Sequence, residues 1–117
     1  MNFRFCKHCG KIWPDRESFL ADSELSLSGC QVETDDPARS LVLFDHRAPN
    51  CGTTLAVEVN AFDDLYDGPR HKVNWAPSAK CYGMCFDPED LSTCPAECRN
   101  AYVREILKIL REAVAGK

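Results

Sequence analysis

The chain has 117 residues, 44% of them hydrophobic, which is enough for one modest core and excludes a large second domain. Its formal charge is -4 at pH 7, and its basic residues are scattered among acidic ones, which argues against nucleic acid as the general partner. No apolar run approaches the roughly 18 residues of a membrane span, and the first residues lack the pattern of a secretory signal. We therefore expect a soluble cytoplasmic protein.

Eight of the residues are cysteines, which is a high proportion for so short a chain. Cysteines at this density either form disulfides in an oxidising compartment or bind metal ions in a reducing one. The expected cytoplasmic location favours metal binding. The expected fold class is α+β, with a small antiparallel sheet, a cysteine-rich segment and an amphipathic C-terminal helix.

The first predicted element is a short strand at Phe3-Arg4-Phe5 that enters the turn Cys6-Lys7-His8-Cys9-Gly10. Gly10 stands where such a turn often needs a positive φ. In a tight turn of this kind both sulfurs point inward, and backbone N–H groups donate to them. After the turn, Pro14 and Asp15 predict the start of a short helix.

Three further strands are predicted before residue 60, at residues 25–34, 41–44 and 53–59. The first and the third alternate polar and apolar side chains, whereas the second is fully apolar. Between the second and third strands lies the turn from Asp45 to Thr54, which carries one imidazole and one thiol. Residues 1–60 are therefore predicted to form a small β module with this turn at one end.

Residues 61–80 have the composition of a connecting segment, which we expect to pack on the sheet through Tyr66 and Trp75. Residues 81–117 contain two Cys-x3-Cys pairs and then a helical pattern. A capping residue at Ser92 or Thr93 predicts a helix that runs to about Ala115. The three segments are expected to form one compact domain.

That predicted helix has two features on its surface. Its first turns would place Cys94 and Cys98 on one face, four residues apart. Further along, apolar residues recur at steps of three and four and predict a face that packs on the core. The residues of this apolar stripe are Val103, Ile106, Leu107, Leu110 and Val114.

The two turns of the β module can together surround one tetrahedral metal ion. The predicted ligands are Cys6, Cys9, His46 and Cys51. Cys30 is an alternative to His46, although a cysteine inside a strand is more often a small buried apolar group. His8 points away from its turn and His71 lies in the connecting segment, so neither is assigned.

The turn Cys6-Lys7-His8-Cys9-Gly10 resembles the first knuckle of the zinc-ribbon and rubredoxin-like families, and Pro49-Asn50-Cys51-Gly52 resembles the end of the second. The resemblance covers roughly the first sixty residues and implies a metal site on β-hairpins, often a zinc site, with no single activity. Ala48 departs from the pattern, since those families usually have a cysteine there. Three thiolates and one imidazole suit zinc, whereas iron sites for electron transfer are more often all thiolate.

The last four cysteines form a second predicted metal site, made of Cys81, Cys85, Cys94 and Cys98. Gly83 lets the first pair bend towards a common cavity. Three readings stay open for this group: a second zinc ion held by four thiolates, an iron–sulfur cluster, and disulfides or redox-active thiols. The predicted cofactors are therefore two zinc ions, with an iron–sulfur cluster as the alternative for the second site.

No catalytic residues are assigned, because the sequence contains no traceable nucleophile and base, no His-Glu-x-x-His motif and no phosphate loop. A closed site with four protein ligands also leaves no position for a reactive water. The predicted function is that of a small zinc-binding protein that serves as an interaction or regulatory module for a protein partner. The alternatives are a thiol or iron–sulfur redox protein that uses the second group, and a nucleic-acid-binding zinc ribbon, which the charge pattern disfavours.

Overall fold

The computed structural model describes residues 2–116, so Met1 and Lys117, the outer ends of the predicted 1–60 and 81–117 segments, lie outside the described residues. The strands are β1 (Arg4–Phe5), β2 (Ile12–Trp13), β3 (Leu25–Gln31), β4 (Leu41–His46) and β5 (Thr54–Glu58). The α-helices are α1 (Arg16–Ala21) and α2 (Ala101–Ala113), and the 3-10 helices are Pro37–Arg39, Val59–Leu65 and Met84–Phe86. The predicted α+β class is confirmed.

The strands form two antiparallel sheets, a β1–β2 ribbon and a three-stranded sheet in the order β3-β4-β5. Alternation along β4 places Val42, Phe44 and His46 on one buried face, while the residues between them are only partly buried. The last residue of β4 therefore faces the same side as the core. This position brings one imidazole to the end of the sheet.

Helix α1 begins where the sequence predicts it. The Asp15 side chain accepts a hydrogen bond from the backbone N–H of Ser18 at 2.7 Å, and the Ser18 hydroxyl lies near the Asp15 backbone N–H at 3.4 Å. This reciprocal cap satisfies N–H groups that the first turn of a helix leaves unpaired. The helix then buries Phe19 completely.

Aromatic rings make up the centre of the core. The ring of Phe19 lies 5.2 Å from that of Trp13 and 5.0 Å from that of Phe44, both in edge-to-face arrangements. Helix α2 closes the other side, because its predicted apolar stripe is buried along its whole length, at Val103, Ile106, Leu107, Leu110 and Val114. That prediction is confirmed.

Among the helices of residues 2–116, none has the length and apolar character that a membrane crossing requires.

The predicted start of the C-terminal helix was wrong. Helix α2 begins at Ala101, after both Cys94 and Cys98, so these cysteines do not share a helix face. The backbone before the helix pairs with the connecting segment instead: the N–H of Arg99 donates to the carbonyl of Val73 at 2.8 Å. Tertiary hydrogen bonds therefore take the place of the helical hydrogen bonds that would form if the helix began at Thr93.

Strand β3 ends at Gln31, three residues before the predicted limit.

Candidate metal centre

The first pair of candidate ligands lies on the turn that β1 and β2 close. The N–H of Cys6 donates to the carbonyl of Lys11 at 2.8 Å, and the N–H of Gly10 donates to the carbonyl of Cys6 at 2.8 Å. Gly10 has φ of 82°, a conformation in which a side chain would be strained. The sequence thus folds locally into a tight turn that carries Cys6 and Cys9.

The second pair lies on the loop between β4 and β5. The N–H of Gly52 donates to the carbonyl of His46 at 2.9 Å, and the N–H of Cys51 donates to the carbonyl of Ala48 at 3.0 Å. Asn50 and Gly52 both have positive φ, 64° and 102°, so the chain reverses within a few residues. The reversal brings Cys51 back beside His46.

These two turns bring their four ligand atoms together. All four lie within 4.8 Å of one another. The sulfurs of Cys6 and Cys51 are 3.6 Å apart, and the sulfur of Cys9 is 3.7 Å from Nδ1 of His46. Tetrahedral zinc, with Zn–S near 2.3 Å and Zn–N near 2.0 Å, requires S···S separations of about 3.8 Å and S···N separations of about 3.5 Å. The group therefore has the spacing at which it could bind a metal ion.

The surroundings hold the imidazole in place. His46 is only 1% exposed, and the ring of Trp13 lies 5.1 Å from it at an interplanar angle of 72°. Cys6 is fully buried as well, whereas Cys9 is exposed. The centre therefore rests on the aromatic core on one side and reaches the surface at Cys9.

The two thiols of the first turn differ in acidity. Burial alone would raise the pKa of Cys6, but the backbone N–H groups of Cys9 and His8, together with the side chains of His46 and Cys51, lower that pKa to about 6. A backbone N–H of Lys11 lowers the pKa of Cys9, yet burial and the neighbouring sulfurs raise it above its ordinary value. Cys6 is thus the more readily ionised ligand of this turn.

Cys30 does not belong to this group, although the sequence left it open as a ligand. It pairs with Val42 across the sheet, and His46 lies four residues further along β4. At about 3.3 Å per residue, these positions are about 13 Å apart along the strand. Cys30 is 2% exposed, and burial is the main cause that raises its pKa to about 11. It is a buried apolar thiol of β3.

The second group of cysteines is arranged differently. Its four members line one cavity together with Trp75, Met84 and Asn100. Within residues 2–116, only the first group brings three or more ligand atoms within 4.8 Å of one another. Burial is the main cause that raises the pKa of Cys85 to about 11. The predicted second metal site therefore stays a prediction.

Several hydrogen-bond donors are directed at sulfurs of the second group. Cys98 accepts from the backbone N–H of Trp75 at 3.3 Å and lies 3.5 Å from Nδ2 of Asn100. Cys81 accepts from the backbone N–H of Gly83 at 3.3 Å. Trp75, expected to anchor the connecting segment on the sheet, thus lies against this cysteine group.

Sequence reasoning missed Arg104, which was grouped with the scattered basic residues. The side chain is fully buried, and Nε donates to the carbonyl of Ser92 at 2.8 Å while Nη2 donates to the carbonyl of Asp90. A signal existed, because position 104 adjoins Val103 and Leu107 on the apolar stripe of the helix. A charge at the edge of such a stripe indicates a buried role.

Comparisons with protein-family models, with curated proteins and with solved structures found no match. The function therefore has to be inferred from the chemistry of the two cysteine groups. What the geometry supports directly is that the first group, Cys6, Cys9, His46 and Cys51, could hold a metal ion.

Proposed function

We propose that this protein is a small zinc-binding protein of the zinc-ribbon kind, in which Cys6, Cys9, His46 and Cys51 hold a structural Zn²⁺. The observation that carries the proposal is the spacing of the four ligand atoms, 3.6 and 3.7 Å across the two closest pairs. Three thiolates and one imidazole are a common closed zinc set. Such a set leaves no open position for water or substrate, so the ion stabilises the fold and does not catalyse.

The proposed ion links two parts of the chain that are far apart in sequence. It joins the β1–β2 turn to the β4–β5 loop, above a core that contains Trp13 and Phe44. Structural zinc sites contribute on the order of 10 kcal/mol of folding free energy, which is comparable with the net stability of a small domain. Thiolate ligands of this kind persist in a reducing compartment, which fits a cytoplasmic protein.

The role of the fold is proposed to be interaction or regulation with a protein partner. Phe5 and Ile12 face each other across the β1–β2 ribbon, and their side chains are 53% and 54% exposed. Two large apolar side chains side by side on a metal-held hairpin form a small surface suited to a partner. A Phe5→Ser, Ile12→Ser double variant should keep its metal but should no longer bind the protein partners that bind the unaltered zinc-loaded protein. Unchanged binding of those partners would argue against this role.

Metal analysis of the purified full chain tests the zinc proposal. His46→Ala should lower the zinc content by one ion per chain and reduce the midpoint of thermal unfolding. Cys30→Ala is the matched control, because it removes a buried thiol about 13 Å away along the sheet and should leave the zinc content unchanged. The reverse result would exchange the roles of the two residues. A purified chain without zinc would refute the proposal.

A further inference from the structure

Helix α2 holds a positive charge that its surroundings do not fully compensate. Arg104 is 0% exposed, and its Nη1 has no hydrogen-bond partner within the described part of the chain. Its nearest carboxylate oxygen, on Asp90, is 3.5 Å from Nη2, and the side chain of Asp90 is 34% exposed. A buried cation costs several kcal/mol unless it is well paired. This arrangement favours a further anionic group near the guanidinium, in addition to the carboxylate of Asp90.

The second cysteine group lies close to this charge. Arg104 binds the carbonyl groups of Ser92 and Asp90, in the segment that joins the two cysteine pairs. Ser92 lies two residues before Cys94, and its hydroxyl donates to the sulfur of Met84, the chain neighbour of Cys85, at 3.5 Å. The guanidinium therefore both holds the segment and places positive charge beside the sulfurs.

The cavity that the four cysteines of this group line is small. Its volume is about 10 Å³, close to the minimum that one water-sized body occupies. The N–H donors from Trp75 and Gly83 and the amide of Asn100 are directed at sulfur atoms. Neutral thiols are weak acceptors, whereas ligand thiolates are stabilised by such donors.

We propose that Cys81, Cys85, Cys94 and Cys98 bind a second Zn²⁺ as thiolates, with Arg104 as the buried counter-charge of this centre. On binding, the four thiols release their protons to solvent, and the four thiolates exceed the charge of the ion by two. Arg104 offsets part of that excess. Disulfides would be neutral and would leave the partly exposed carboxylate of Asp90 as the anionic partner of Arg104.

Binding of the ion would require the four sulfurs to move from the walls of the cavity to tetrahedral spacing. The chain around them permits the movement, since residues 81–98 contain no α-helix or strand and only the 3-10 helix Met84–Phe86. Gly83, with φ of 83°, supplies the bend between the first two cysteines.

The metal content of the unaltered full chain decides the proposal even where a variant does not fold. Two zinc ions per chain and a colourless protein are expected. The Cys81→Ser, Cys85→Ser double variant should retain one ion, and Cys30→Ser should retain both. One zinc ion that is lost only in His46→Ala would overturn the second centre. One that is lost only in the double variant would support it and overturn the first. Iron with visible absorption would overturn the assignment to zinc.

The role of Arg104 is tested by the affinity for zinc in competition with a chelator. Arg104→Met removes the charge and should lower the affinity for one of the two zinc ions about tenfold or more. Losses of this size are typical for groups that contact the metal ligands and not the metal itself. Arg104→Lys keeps the charge and should retain most of that affinity, although it cannot reproduce the contacts to Ser92 and Asp90. The affinity of the first centre should not change. Equal losses in the two variants would show that contacts and not charge matter, and would overturn the role of counter-charge.

Discussion

The two cysteine groups are held by different kinds of backbone. The first lies on two hairpins, β1–β2 and the β4–β5 loop, whose strands satisfy their own hydrogen bonds. The second lies on residues 81–98, which have no strand pairing. Only the first brings its ligand atoms to within 4.8 Å of one another in residues 2–116. Strand pairing thus brings the candidate ligands of the first group together, whereas the irregular backbone of the second group leaves its sulfurs further apart.

Hydrogen bonds from β3 and α2 attach the second region, residues 81–98, whereas the first region, residues 2–65, contains β1 to β5. The N–H of Cys30 in β3 donates to the carbonyl of Pro88 at 2.9 Å, and Arg104 holds the carbonyls of Asp90 and Ser92. Segments with few such contacts open at lower free energy than the strands and helices of a core. The order of this region should therefore be the more sensitive to metal.

The largest effect is expected from loss of the first ion. Cys51→Ser should remove that zinc and lower the free energy of unfolding by several kcal/mol, because metal binding at a structural site is folding free energy. Denaturant unfolding with a parallel zinc count measures this. The matched control is Cys30→Ser, which keeps the first centre intact. An unchanged unfolding midpoint in Cys51→Ser would show that the hairpins do not need the ion.

Gradual removal of metal by a chelator should separate the two regions. Amides of residues 81–98 should exchange with deuterium at lower chelator concentrations than amides of β3, β4 and β5, since strand pairing protects the latter. Hydrogen exchange read by mass spectrometry resolves these segments. Simultaneous loss of protection in both would mean that the two regions unfold as one unit and would remove the contrast between them.

A smaller effect is expected where the two regions meet. A Cβ atom on Gly29 would lie 2.6 Å from the carbonyl oxygen of Pro88, so Gly29→Ala should push the second region away from β3. We expect a loss of about 1–3 kcal/mol in the free energy of unfolding, typical of overpacking, and weaker binding of the second zinc. Gln31→Ala, at the exposed end of β3, is the control. A lower affinity for the first zinc, with unchanged affinity for the second, would contradict the assignment of the second zinc to residues 81–98.

The smallest effect is expected at an ion pair within the first region. Arg16 donates to both oxygens of Asp64, at 2.5 and 3.0 Å, and the hydrogen bond from Arg16 lowers the pKa of Asp64 below its ordinary 3.8. A carboxyl group with a lowered folded pKa contributes stability that is present above pH 3.8 and is lost as the pH falls through the folded pKa. Asp64→Asn should therefore destabilise slightly at pH 7 and not at low pH, as thermal unfolding at the two pH values would show. Equal destabilisation at both would assign the effect to packing.

Local pattern predicted most of the first region. Gly10 after Cys9 and the cap at Asp15 each act over a few residues, so the sequence predicts them. The apolar stripe of α2 is of the same kind. The start of that helix was not predictable in this way, because the backbone of Arg99 pairs with Val73, a residue far away in the sequence.

The sequence by itself determined which residues could bind metal and which face of α2 is apolar, because spacing and periodicity are local properties. Only the tertiary structure decided between His46 and Cys30, since the register of β3 on β4 sets their distance from the two turns. The same holds for Arg104, whose burial depends on the segment that covers it. Contacts between distant parts of the chain therefore decide which of the candidate residues lie together.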